Sequence, residues 1–328
     1  MSSTPQLEIL DLRHFSAAQL RPLIEEEAVR WQRRLRWDYS SATKLLLEYL
    51  EGRILPGYVA LYDARVVGYA FCVFEAEKAV IGDVYAFGEG ESLDNPVCET
   101  LLHHLLEMLQ ATPGVERIES QLLMFPAGAL ASPFRSRGFR SYPRLFMTCD
   151  LNANLGAGAP HLDTEMWERM HLVLEPWQPK FYDAAAELIR SAYVGHMDSN
   201  INDQYRSVAG AQRFLHNIIR FPGCGIFDAE GSWVIRDTRS SALQAIILCS
   251  RVHEDVGHIT QLCVRQELRR SGLGEALLHH CAAQIAQRGV TALTLTVTET
   301  NTGACKLYER NGFTTLHRFD AMVWDSEY

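Results

Sequence analysis

Residues 269–274 read Arg269, Arg270, Ser271, Gly272, Leu273, Gly274, between the apolar run 259–264 and Glu275-Ala-Leu-Leu. A strand therefore passes through a glycine-bearing turn into a helix. Bare backbone N–H groups at a positive helix end attract an anion. Two arginines beside them match phosphate oxygens, and glycine tolerates positive φ and close approach of a ligand. The combination suits the pyrophosphate of a nucleotide-like cofactor. An Arg-x-x-Gly-x-Gly string is short enough to recur by chance, so its neighbours decide.

The neighbours supply a scaffold. Residues 291–297 (Thr-Ala-Leu-Thr-Leu-Thr-Val) alternate with period two and predict a strand. From Asn301 the chain reads Asn-Thr-Gly-Ala-Cys-Lys-Leu-Tyr308-Glu-Arg-Asn-Gly312-Phe313. That is a capped helix start, about three turns and a glycine stop. The order strand, phosphate turn, helix, strand, Asn- and Tyr-bearing helix, Gly-Phe, strand resembles the GCN5-related N-acetyltransferase (GNAT) superfamily over residues 166–328. There Arg-x-x-Gly-x-Gly corresponds to the acetyl-CoA pyrophosphate loop, and the Asn…Leu-Tyr…Gly-Phe segment to a second signature.

The resemblance implies acetyl-CoA as co-substrate, no metal, and direct acetyl transfer to an amine. It assigns cofactor contacts to the backbone of Leu262, Cys263 and Val264 on the preceding strand and to the turn 269–274. Asn301 caps its helix and contacts the cofactor arm. Tyr308 becomes the acid that protonates the departing thiolate, a role open to a phenol with pKa near 10. Some relatives carry a glutamate base eleven residues before the first arginine, where this chain has His258. An imidazole titrating near 6.5 suits that task; Glu254 or Asp255 acting through water, or an ordered water chain alone, are the other options. Core packing competes for Leu262, Val264 and Tyr308, and a surface or structural histidine at a strand start is the competing reading of His258. Cys263 and Cys305 read as inert thiols. The segment His196-Met-Asp198 falls where relatives carry acceptor loops, and Asp198 is a candidate amine contact.

The whole chain sets limits. Its 328 residues suit two domains, and 47% apolar with 22% charged residues suit a globular protein. No run approaches the 18 or so apolar residues of a membrane span. The N-terminus lacks a secretion pattern, which predicts a cytoplasmic protein. Eight cysteines without Cys-x-x-Cys spacing read as reduced thiols. The net charge of −9 shows no basic stripe, which argues against nucleic acid as a partner. Oligomerisation stays open.

An internal repeat of roughly 175 residues runs through the chain. Glu99-Thr-Leu-Leu-His103-His104 recurs as Glu275-Ala-Leu-Leu-His279-His280, and Arg137-Gly138-Phe139 as Asn311-Gly312-Phe313. Each copy opens with a short strand (7–10, then 171–174) and an amphipathic helix (16–33, then 180–194). The copies differ where chemistry would occur. Leu93 faces Arg269, Asp94 faces Arg270, Pro96 faces Gly272 and Cys98 faces Gly274; Glu89 and Glu91 stand just upstream. Phe134 faces Tyr308 and Ala127 faces Asn301. Trp31, Trp37 and Tyr39 could line an acceptor pocket, although core packing competes. The adjacent His pairs diverge on a helix and suit no shared metal.

The expectation is an α/β (α+β) protein of two tandem GNAT-like domains, each a mixed, largely antiparallel sheet flanked by helices. Residues 1–150 form a degenerate, acceptor-shaping domain, 151–165 a linker, and 166–328 the acetyl-CoA domain. The layout is similar to mycothiol synthase-like tandem acetyltransferases. The expected acceptor is a small-molecule or peptide amine, without nucleic acid or membrane. The alternative is a non-catalytic acyl-CoA sensor whose N-terminal domain binds a partner protein.

Overall fold

The computed structural model describes residues 7–88, 95–154, 164–221 and 223–326. The first half runs β1 (Leu7–Asp11), α1 (Ala17–Leu35), α2 (Ser40–Glu51), β2 (Gly57–Tyr62), β3 (Arg65–Glu75), β4 (Lys78–Ala86), α3 (Pro96–Ala111), β5 (Arg117–Gln121), α4 (Ala131–Ser136) and β6 (Arg140–Asp150). Two short helices follow, α5 (Leu151–Asn154) and α6 (Thr164–Arg169). The second half repeats the order: β7 (Leu172–Pro176), α7 (Tyr182–Ala192), α8 (Val208–Arg220), β8 (Ile226–Asp237), β9 (Leu243–His253), β10 (Val256–Val264), α9 (Leu273–Ala286), β11 (Ala292–Thr298), α10 (Thr302–Arg310) and β12 (Thr314–Asp325).

The compact units are not two continuous stretches. One comprises residues 1–35, 39–144 and 318–328; the other comprises 36–38 and 145–317. A single cut within 151–165 does not reproduce them, because each unit takes its last strand from the other half of the chain. In the first unit the strand order is β1-β2-β3-β4-β5-β12, with β12 antiparallel to β5 from Ala321↔Gln121 to Asp325↔Arg117. In the second it is β7-β8-β9-β10-β11-β6. Period-two alternation tells which face of a strand is buried and nothing about which strand lies alongside.

Within the second unit the sheet has a core on each face. Leu273, Leu277 and Ile285 of α9 pack with Ile247, Leu293 and Leu295 on one side. Ala185, Ala186 and Ile189 of α7, with Ala211 and Leu215 of α8, pack with Ile246 and Leu248 on the other. In α7 the buried positions fall at helical spacing, which aims one stripe at the sheet.

The first unit holds a buried pair of acids. Glu27 on α1 and Asp83 on β4 are hydrogen-bonded to each other. Tyr69 Oη donates to Glu27 at 2.6 Å and Trp31 Nε1 at 3.1 Å. Burial raises the pKa of both, Asp83 well above its ordinary value, so the folded pair retains a proton that the unfolded chain gives up near pH 4. The folded state then binds more protons, and stability falls as pH rises. The pair's contribution is complete below about pH 4 and is lost as pH climbs through the folded-state value. Thermal melts should show Tm decreasing from about pH 5 to about pH 9, with a flatter profile in Asp83→Asn.

Trp31 stacks on half-buried Tyr39 with centroids 4.6 Å apart, and Trp31 and Trp37 are buried in the cores of their units. Among the described residues no helix is long and apolar enough to cross a membrane.

Candidate active site

The site lies where two parallel strands part. β10 and β11 pair from Val256↔Ala292 to Ile259↔Leu295 and no further, although they run on to Val264 and Thr298. An irregularity between Ile259 and Gln261 marks the point of divergence. Past it, Leu262, Cys263 and Val264 still pair with β9 along one edge, opposite Ile247, Ile246 and Ala245. Their other edge opens onto the gap, where backbone groups are available to a ligand. The side chains of Leu262 and Val264 pack toward α9, and Cys263 faces the α7–α8 core. Packing inward and backbone availability coexist, as alternation allows.

The strand leads into the glycine turn. Arg270 has φ +66° and Gly272 φ +84°, and α9 begins at Leu273 with no side-chain cap. Its first N–H groups are thus left to an outside acceptor. Glu275, in the first turn, is neutralised by Arg310 at 2.9 Å and accepts from Asn311 Nδ2. Ser271 Oγ donates to Leu268 O at 2.6 Å and braces the loop. Both arginines are exposed, and Arg269 Nη2 also donates to Ala192 O at the end of α7 (2.5 Å). Arg269 is therefore a strut between turn and helix as well as a positive charge near the site.

The matching helix start in the first unit is built differently. There Asn95 caps α3, accepting from Val97 N–H at 2.9 Å, and Pro96 contributes no N–H. Glu89, Glu91, Leu93 and Asp94 lie outside the described residues. Gly272→Ala would meet no atom within 4 Å, so its cost is backbone strain of about 1–2 kcal/mol at positive φ. By calorimetry, that substitution should weaken acetyl-CoA binding by about tenfold if the strain opens the turn, while Asn95→Ala should leave it unchanged.

Across the gap stands α10. Asn301 caps it, its Oδ1 accepting from Ala304 N–H at 3.3 Å, so its first role is structural and its Nδ2 points toward His196 Nε2, 3.4 Å away. Tyr308 is 8% exposed and packs against Phe313 with centroids 5.7 Å apart. The hydroxyls of Tyr69, Tyr85, Tyr182 and Tyr193 all have hydrogen-bond partners. That of Tyr308 has none among the described residues. Burial, then the charge of Asp198, pushes its pKa up, so the phenol keeps its proton at neutral pH.

Asp198 comes to this place from a loop 100 residues earlier, where Thr298 Oγ1 donates to its Oδ1 at 2.5 Å. His196 Nδ1 accepts from the Asp198 N–H at 3.2 Å. Nothing in the local pattern of β11 marked Thr298 as a site residue; its only signal is the run Thr294, Thr296, Thr298 on one strand.

His258 is elsewhere. It sits in the closed part of the strand pair, opposite Thr294, whose Oγ1 is 2.9 Å from its Nδ1. Its ring lies between Trp37 (centroids 5.0 Å) and Phe146 (5.9 Å), and the residue is 6% exposed. A ring so enclosed lacks access to a proton on an acceptor in the gap, which argues for a packing role and against the general base expected from spacing. Burial pushes Cys263 up to about 12 and raises Cys305, so neither thiol is a ready nucleophile. His279 contacts Asn311 and His280 packs edge-on against Trp233, which leaves the pair structural.

The signature of the acetyltransferase (GNAT) family matches residues 168–313. A 69-residue stretch is 36% identical to the [ribosomal protein bS18]-alanine N-acetyltransferase of Escherichia coli K12, covering 21% of this chain and 47% of that protein. The chain thus spans about half the length of the curated relatives it matches. The fold is similar to that of a GCN5-related N-acetyltransferase from Sphaerobacter thermophilus: TM-score 0.65, 16% identity, 97% of this chain and 95% of that one. It is also similar to a tandem GNAT protein from the clavulanic acid biosynthesis pathway: TM-score 0.58, 14% identity, 98% of both chains.

Proposed function

Residues 168–313 belong to the GNAT acetyltransferase family, and from that membership we propose that the second unit transfers an acetyl group from acetyl-CoA to the amine of a small molecule or peptide. The observation that carries the reading is the unpartnered hydroxyl of buried Tyr308, set across a strand gap from an uncapped helix start. The free N–H groups of α9, with Arg270 beside them, would receive the pyrophosphate. Open backbone groups along Leu262–Val264 would hold the pantetheine arm and polarise the thioester carbonyl. Tyr308, kept protonated by its surroundings, would donate to the sulfur as the C–S bond breaks.

The described residues of the first unit differ at these places. Its helix start is capped, and Phe134 stands where Tyr308 stands in the second. We assign it no cofactor. The E. coli relative's name points to a peptide amine as one class of acceptor to try. Eight free cysteines suit a reducing compartment such as the cytoplasm.

Calorimetric titration with acetyl-CoA tests the proposal. One site per chain, with free thiol released when an amine panel is added, is the expected result. Two sites would refute the inert first unit. Binding without turnover of any amine would favour an acyl-CoA sensor.

A further inference from the structure

Mostly buried carboxylates in this protein have their charge answered. Asp228 is held by Arg251 and Arg288, Glu175 by Arg236, and Glu119 by Lys78 and Arg117. Glu27 and Asp83 hydrogen-bond each other. Asp198 departs from this rule. Its side chain is 16% exposed, and among the described residues no lysine or arginine pairs with it. The nearest cationic candidate is His196, with Nδ1 3.7 Å from Oδ2. Burial lowers the pKa of that imidazole and the positive charge of Arg269 lowers it further, against the opposing pull of Asp198. The ring is therefore neutral at pH 7, and its Nδ1 is already occupied as an acceptor.

An anion in such surroundings is costly without a counter-ion. Yet Asp198 is held in place, since Thr298, 1% exposed, donates to it. The second independent sign is Tyr308, a side chain more than nine-tenths buried whose hydroxyl bonds to none of the described residues and retains some accessible surface. A fixed carboxylate without a cation and a fixed phenol without an acceptor stand at the same mouth. The carboxylate calls for a ligand that brings a positive charge, and the phenol for the acceptor that the sulfur of the acyl donor would supply.

We propose that Asp198, held by Thr298 and flanked by His196, is the anchor for the acceptor's ammonium group, so that the favoured acceptor is an aliphatic primary amine recognised in its cationic form. This rests on the acyl-transfer reading for its chemistry, though the anchor itself is a binding site. The bound ammonium first gives one proton to bulk water. As the N–C bond then forms, the C–S bond breaks and Tyr308 protonates the thiolate, and the positive charge that attack places on nitrogen is discharged by loss of a second proton to water. A carboxylate fixed beside that nitrogen stabilises the charge in the transition state too. Asp198 is thus a specificity-determining residue whose effect reaches turnover.

The test uses 1,5-diaminopentane as the cationic probe and an alkyl hydrazide of similar length, uncharged at pH 7, as the neutral one. Calorimetry with the CoA-loaded full chain should show diamine binding weakened about 30-fold or more in Asp198→Asn. Hydrazide and CoA binding should stay within about twofold. Asp198→Glu should recover part of the loss, and Thr298→Val, which frees the carboxylate, should fall between. In turnover, the wild-type preference for diamine over hydrazide should collapse in Asp198→Asn. Unchanged diamine binding in Asp198→Asn, with thermal melts showing an intact fold, overturns the anchor. Asp198-dependent diamine binding with no acetyl transfer would leave the anchor standing and remove the transferase.

Discussion

Tyr308→Phe should lower kcat by about two to four orders of magnitude, the usual worth of a positioned general acid, and leave acetyl-CoA affinity within about twofold. The substitution removes one hydroxyl that bonds to none of the described residues. The ring keeps its place against Phe313, and the repeat itself shows that phenylalanine fits there. In the first unit Phe134 packs on Phe139 with centroids 5.1 Å apart, in the corresponding helix and strand start. Loss of the fold is therefore not the expected cause of lost activity. The readout is thiol release against acetyl-CoA concentration, with binding measured separately. A kcat reduced less than tenfold would mean that water protonates the sulfur and that Tyr308 is only core.

A fragment of residues 160–328 should not fold, and so should not bind acetyl-CoA. It would lack Trp37, Phe146 and Met147, buried to 4%, 0% and 0% exposure within the second unit. It would also lack the β6 residues that lie beside β11. Removing a large buried side chain costs about 2–5 kcal/mol, and three of them compare with the whole stability of a typical domain, about 5–15 kcal/mol. Circular dichroism on heating is the check. A cooperative melt with retained cofactor binding would show that the second unit closes without the exchanged strand.

Much of the site was legible because its signals are local. Gly272 at positive φ, Asn301 at a helix start and Gly312 after a helix end each report backbone geometry within a few residues. The strands on either side follow from alternation, and the doubled element order follows from the repeat. The misreadings share a different cause. His258 has a fitting pKa and a fitting offset from Arg269, but its fate is set by rings at positions 37 and 146. Arg269 reads as a phosphate ligand in its own segment, and its further bond to a carbonyl 77 residues away could not be read there. Thr298 gains its meaning from Asp198. Contacts at such separations leave no periodic trace in a single chain.

The crossing of the last strand also governs when the protein can fold. Arg117 on β5 pairs with Asp325 across 208 residues, and β12 supplies an edge that the first unit otherwise leaves open. A ribosome making this chain at about 5–20 residues per second would hold the first sheet incomplete until almost the whole sequence has emerged. Local helices such as α1 form early, but the β5 edge stays exposed through synthesis of the entire second half, which is the circumstance that invites aggregation. Residues 318–325, which take no part in the proposed chemistry, are therefore where a truncation would most disturb the opening half of the chain.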